Sequence, residues 1–220
     1  MSALAFRLLL EAVRADREMS VRRDRGEGLS AFQRLAIFNG TSVSAERALS
    51  LSEDEITYEF LVQSGVTAIN LGTAGVRAVL LKKMGASEAS CLRRLGFTAL
   101  WLVDPEFCSE ASAAYGAEAV LEAFIVTAGD AVMLAGTEAM QTLGATPQLL
   151  LEACAGAPTE ASEVLKQMPG TDGLKGVQVR TLLDSGLRAP QLRGLGYGLV
   201  HVAQLSGHEK GSAHKLGFAL

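Results

Sequence analysis

Glycine recurs along this chain at a pitch that rules out long helices and long strands alike. Gly65, Gly75 and Gly85 stand ten residues apart, Gly96 eleven further on and Gly116 twenty beyond that. The register returns near the C-terminus as Gly176, Gly186, Gly196, Gly207 and Gly217. In six of these units a leucine precedes the glycine by four residues: Leu61, Leu71, Leu81, Leu92, Leu182 and Leu192. The unit between Gly96 and Gly116 lacks its glycine but keeps phase, with Leu102 four residues before Glu106 and Phe107 just after it. A period near ten, present at both ends of the chain, is a repeat.

Helix ends explain the spacing. A glycine just past a helix adopts the left-handed conformation that stops it, and an apolar follower (Val66, Val76, Phe97, Tyr197, Phe218) folds back onto the last turn. A capping residue then restarts the chain: Thr67, Ser87, Thr98, Thr137, or Thr146 with Pro147 at the first helical position. Ser52 and Glu55 form a capping box, with Leu51 and Ile56 as its staple, and predict a helix running from there to Gly65. Around Asn39 and Gly40 a stop followed by Ser42 or Ser44 suggests that the repeat begins before residue 50 in a degraded form.

Each unit is thus a helix of about two turns, too short to stand alone in water. Stacking must hold such helices, with the leucines and post-glycine apolar residues as a continuous core and alanines letting neighbours approach. Low aromatic content (5%) beside 49% hydrophobic residues suits this all-α packing and not a β-sandwich. The expectation is an all-α, solenoid-like array of short helices over 49–220, irregular at 117–175. Longer helices are expected near 117–126 and 147–154. Ahead of the array lies an N-terminal segment, 1–48, with a first helix from Ala3 to about Met19 and an exposed hinge near 22–28.

The phrases "CLRRLGFTALWL", "SGVTAINLGTAGVRAVLL" and "SGLRAPQLRGLGY" resemble the glycine-centred ten-residue repeats, of the form A-G-F-[ST]-x-x-x-L-[KR]-x, of some algal, protist and bacterial proteins. The resemblance covers about 61–116 and 176–220. It implies a helical scaffold or recognition array and carries over no functional residue.

Other features bound the function classes. Arg7 interrupts the opening apolar run, and Glu11, Asp16 and Glu18 are out of place in a transit peptide, so the first residues read as neither a secretory nor a transit sequence. The apolar stretch 117–136 contains Glu118, Glu122 and Asp130, which favours a buried helix over a transmembrane segment. Cys91, Cys108 and Cys154 read as reduced core residues of an intracellular protein, in cytoplasm or organelle. Residues 1–50 carry a net charge of +2 and 51–220 a net −6; between Arg94 and Lys166 there is no basic residue against ten acids. That surface repels phosphate backbones.

No catalytic set, cofactor loop or metal site is legible. "GLGYG" at 194–198 fits the core of a helix-hairpin-helix, which offers backbone amides to nucleic acid, but no cation follows before Lys210. As a dinucleotide loop it lacks a preceding strand. His201, His208 and His214 are spaced unlike ligands on one helical face, and His208 beside Glu209 reads as a solvated loop.

The candidate protein-binding residues are Lys82, Lys83, Arg93, Arg94 and Trp101. The two basic pairs hold matching places in consecutive units, and stacking should set them on one edge, where like charges call for water or an acidic partner. Trp101, the sole tryptophan, reads as core or as an interface anchor. The function expected is a non-enzymatic scaffold or accessory subunit, binding protein in a larger intracellular assembly, for example a photosynthetic one. A lipid or pigment carrier is the alternative, motivated by the apolar stretch 117–136, and nucleic-acid binding ranks lower.

Overall fold

The computed structural model describes residues 29–168, 173–203, 205 and 211–218. The expected helix at Ala3–Met19, the hinge near 22–28, Gly207, His208 and Glu209 lie outside the described residues. Those residues form seventeen α-helices and no strand. They make two compact units, one comprising the described residues through Ser87 together with Arg94–Gly96, the other Glu88–Arg93 with the described residues from Phe97 onward.

The first unit holds α1 (Ala31–Ile37), α2 (Ala45–Ser50), a 3₁₀ turn (Glu53–Glu55), α3 (Tyr58–Gln63), α4 (Ala68–Thr73) and α5 (Ala78–Lys83). Helix α6 (Ala89–Arg94) carries the chain from one unit to the other. Then follow α7 (Ala99–Leu102), α8 (Pro105–Tyr115), α9 (Ala117–Phe124), α10 (Ala128–Leu134), α11 (Glu138–Thr142), α12 (Pro147–Ala153) and α13 (Pro158–Gln167). The last four are α14 (Val179–Asp184), α15 (Ala189–Gly194), α16 (Leu199–Val202) and α17 (Ser212–Lys215).

The repeat is a helix-stop device. At Gly65, φ is +77°, a region closed to most side chains. The turn there lets the Val66 N–H donate to the Leu61 carbonyl at 3.0 Å and the Gly65 N–H donate to Val62 at 3.1 Å, the paired bonds of a Schellman motif. The same six-residue bond joins Val76 to Leu71, Ala86 to Leu81, Phe97 to Leu92, Leu187 to Leu182 and Tyr197 to Leu192, at 2.8–3.1 Å. This is the physical reason for the leucine four residues before each glycine. The motif sets that leucine against the residue after the glycine, and both are buried in every one of the six units.

The first residue is also buried in six of the repeat helices, as Tyr58, Ala68, Ala78, Ala89, Ala99 and Ala189, whereas α16 opens on exposed Leu199. Three of them donate an N–H to another helix end. Tyr58, opening α3, bonds to the Met84 carbonyl at the end of α5 (2.7 Å); Ala68, opening α4, bonds to Leu95 after α6 (2.6 Å); Ala189, opening α15, bonds to Leu216 after α17 (2.8 Å). In each case the acceptor lies two helices further on. First-turn N–H groups have no partner inside their own helix, so this reach satisfies both a lone donor and a lone terminal carbonyl. Alanine at the donor position keeps the neighbouring chain close.

The eleven-residue unit shows where the repeat absorbs an insertion. Ala68 and Ala78 follow their glycines by three residues, whereas Ala89 follows Gly85 by four; the distance from helix start to the next glycine stays seven. The extra residue therefore sits in the turn, and Glu88 rather than Ser87 precedes the helix.

Other expectations need correction. The Ser52–Glu55 capping box forms, but it opens only the 3₁₀ turn. The chain breaks at Ile56, and Thr57 caps α3 separately by accepting the Phe60 N–H. Glu106 does not stand at a turn: Asp104 caps α8 with Pro105 in its first turn, and the helix runs through Glu106 to Tyr115. Thr98 and Thr137 occupy N-cap positions without a side-chain cap bond, whereas Thr67, Thr146 and Ser44 do accept one. The stretch 117–136 is two helices, α9 and α10, each with its apolar face in the core: Val120, Leu121, Phe124, Ala131 and Leu134 are buried. No helix among the described residues is long and apolar enough to cross a membrane.

Candidate functional site

The five expected contact residues fall into both units. Lys82, Lys83 and Arg94 belong to the first, in the last turns of α5 and α6, and all three are exposed. Cations at helix C-termini complement the carbonyl end of the helix, so the helices themselves account for part of this charge.

Arg93 belongs to the second unit and sits in a different setting. Its guanidinium meets the Asp130 carboxylate through Nη1 at 3.5 Å and Nη2 at 3.4 Å, and it lies 6.0 Å from the centroid of the Phe124 ring. Asp130 also accepts N–H bonds from Val126 and Thr127 at the start of α10. Arg93 is thus a half-buried clasp between α6 and the start of α10, and its charge is matched. Asp130 lies thirty-seven residues away in sequence, so no local pattern announces the pair.

Trp101 is half-buried. Its ring meets Phe97 edge-on at 5.0 Å and Phe107 at 6.0 Å, while Phe97 and Phe107 stack at 5.1 Å with planes 11° apart. Phe107 is buried as the repeat phase expected of a post-glycine residue, but from inside α8 and against Phe97 and Trp101. Next to Trp101 on α7, Leu100 is 60% exposed and Val103 41%.

An exposed apolar position recurs in the repeat and was not singled out from sequence. In α3 to α7 and α14 to α16 the second residue of the helix is exposed, and in four of these it is a large apolar side chain: Ile69 (74% exposed), Val79 (41%), Leu100 (60%) and Val200 (74%); in α11 and α17 the same place is buried, as Ala139 and Ala213. In other units the same place holds Glu59, Ser90 or Arg180. The alternation with polar residues was visible in the sequence once helix starts were known to one residue.

The remaining candidates are accounted for internally. In "GLGYG" the Leu195 N–H donates to Gln191, Gly196 to Arg193, Tyr197 to Leu192, and Gly198 to His201 Nδ1. No amide of that turn is left to cradle a phosphate. Burial raises the thiol pKa of Cys154 to about 11, with Glu160 adding to it, and raises that of Cys108, with Glu138 adding. Both therefore stay protonated near neutrality and are poor nucleophiles. Burial, and then Cys91, likewise push Tyr115 up to about 12. Among the described residues no group of three or more His, Cys, Asp or Glu side chains is placed to hold a metal ion.

Two open clefts lie in the second unit. One, about 450 Å³, runs between the end of α13 and the α15–α16 turn, beside Lys166, Tyr197 and His201. The other, about 340 Å³, lies beside Glu152, Arg180 and Asp184. Gln148 ties α12 to two residues of that second cleft, donating to Thr181 Oγ1 at 2.7 Å and accepting the Gln178 N–H at 2.8 Å.

No family model, curated protein or solved structure matches this chain.

Proposed function

We propose that the chain is a solenoid-like helical-repeat scaffold, non-enzymatic, that binds protein as an accessory subunit of a larger intracellular assembly. The observation that carries this reading is the recurrence of large, exposed apolar side chains at one register position, Ile69, Val79, Leu100 and Val200. Isolated exposed hydrophobics are ordinary on any protein, but the same place in unit after unit is a surface property of the repeat. The repeat bonds between helices two apart support stacking within each unit, and stacked repeats present their surface residues in rows.

The carrier alternative drew on the apolar stretch 117–136, where Val120, Leu121, Phe124, Ala131 and Leu134 are buried in the core and Val126 and Met133 are exposed. The helix-hairpin-helix alternative needs free amides at 194–198, and those amides are bonded internally.

Purification of the tagged protein from the cells that make it tests the reading. It should elute well above 23.1 kDa with a fixed set of proteins. The triple substitution Ile69→Ser, Leu100→Ser and Val200→Ser should weaken that association by about tenfold or more while leaving the helical circular dichroism unchanged. Reversal of Lys82, Lys83 and Arg94 to glutamate should slow association, because exposed charges steer encounter. A protein that elutes alone, with no retained partner, overturns the proposal.

A further inference from the structure

The cleft beside the α15–α16 turn contains a polar group that the fold leaves unpaired. Tyr197 is 5% exposed, and its ring meets His201 edge-on at 5.6 Å. Buried tyrosine hydroxyls ordinarily find a hydrogen-bond partner. Among the described residues the Tyr197 hydroxyl has none, although it is not sealed from solvent. It stands 2.5 Å from where a Cβ on Gly173 would be, with Met168 alongside, and Tyr197 and Met168 both line the cleft. Burial raises the Tyr197 pKa, so the phenol stays protonated and able to donate.

The neighbouring groups favour negative charge. The Gly198 N–H donates to His201 Nδ1 at 3.0 Å, which leaves the ring proton on Nε2 as a second donor. Lys166, near the end of α13, is the one cation lining the cleft; its 2.8 Å ion pair with Glu163 is about half exposed on both sides and therefore weak. No carboxylate is among the described residues that line the cleft. The turn amides are bonded internally, so side chains have to hold an anion here. One cation suits one negative charge, and Leu165, Met168 and Leu195 on the wall suit an apolar body.

The repeat supplies an independent observation. Two residues before the turn glycine, the other units carry Gln63, Thr73, Lys83, Arg94 or Asp184, whereas α15 carries Gly194. Gly194 is not among the positive-φ glycines, so its backbone does not require glycine, and a helix is weakened by one. It lines the cleft, and a Cβ there would meet nothing within 4 Å. The missing side chain leaves open a space that the repeat elsewhere fills.

We propose that this cleft, about 450 Å³, binds a small monocarboxylate with a compact apolar body, the carboxylate accepting from Tyr197 Oη and His201 Nε2 beside Lys166 and the body lying against Leu165, Met168 and Leu195. The site goes beyond the protein-binding reading and does not depend on it.

Titration of the full chain with benzoate, followed by amide and imidazole NMR, tests the site. Saturable shifts are expected at Gly194, Gly196, Gly198 and the His201 ring. The melting temperature should rise with benzoate concentration, because a ligand held by the folded state alone stabilises it by mass action. Benzamide, neutral and of similar shape, should bind about tenfold or more weakly. Tyr197→Phe keeps the ring and removes only the unpaired hydroxyl. It should melt no lower than the wild type without ligand, and bind benzoate about tenfold more weakly. Gly194→Leu should abolish binding with the circular dichroism unchanged. No saturable shift, equal affinity for benzamide, or undiminished binding by Tyr197→Phe overturns the site. Shifts at the same amides with inorganic phosphate but not with benzoate overturn the ligand class.

Discussion

Two glycines with the same backbone angle carry different burdens, and a single methyl group separates them. Gly65 has φ +77° and open space where a Cβ would stand, whereas Gly136, at +70°, would put a Cβ 2.5 Å from the Gln167 carbonyl oxygen. Gly65→Ala should cost about 1–2 kcal/mol, the strain of a left-handed alanine. Gly136→Ala adds an overpacking term of about 1–3 kcal/mol, because backbone has to move. Denaturant melts of the two variants check the order, and equal losses would contradict the close approach of the end of α13. At the same scale, Cys154 links stability to pH. Its thiol pKa is raised in the folded protein, so this stability is whole below the ordinary thiol value near 9.0 and is lost as pH rises toward about 11. A Cys154→Ala variant should lose less stability than the wild type between those pH values, while thiol reagents at neutral pH should modify half-buried Cys91 ahead of Cys108 and Cys154.

At the scale of the helix, the repeat was legible because six units obey the same terminal chemistry. The leucine at −4, the glycine and its apolar follower are one Schellman motif, so counting them placed α3 to α6, α14 and α15. Phase counting failed where other end signals outranked it. Asp104 with Pro105 is a strong helix start, and it overrode the expected turn at Glu106. Thr57 supplies its own cap, so the chain needed no continuous helix from Ser52. Contacts across long separations left no local trace, which is why the Arg93–Asp130 clasp was not foreseen and the four basic residues were read as one edge. The shared core makes its own prediction. Leu92 is fully buried, and both its side chain and its carbonyl serve the α6 stop. Leu92→Ala should cost about 2–5 kcal/mol, and an unchanged melting transition would place Leu92 outside the core.

Across the described residues, helices of four to eleven residues have no stability of their own and must be held by packing within their units. Three backbone bonds that reach two helices ahead, from Tyr58 and Ala68 in the first unit and from Ala189 in the second, are part of that packing. A first-turn amide in an isolated helix has no acceptor and exchanges its hydrogen freely. Inside the folded units these amides have acceptors. Native-state hydrogen exchange resolved at single amides therefore tests the claim most directly. The N–H groups of Tyr58, Ala68 and Ala189 should be protected as strongly as those of Leu61, Leu71 and Leu192 inside their helices, opening only with the unit that contains them. Fast exchange at the three first-turn amides, beside slow exchange at the three leucines, would contradict it.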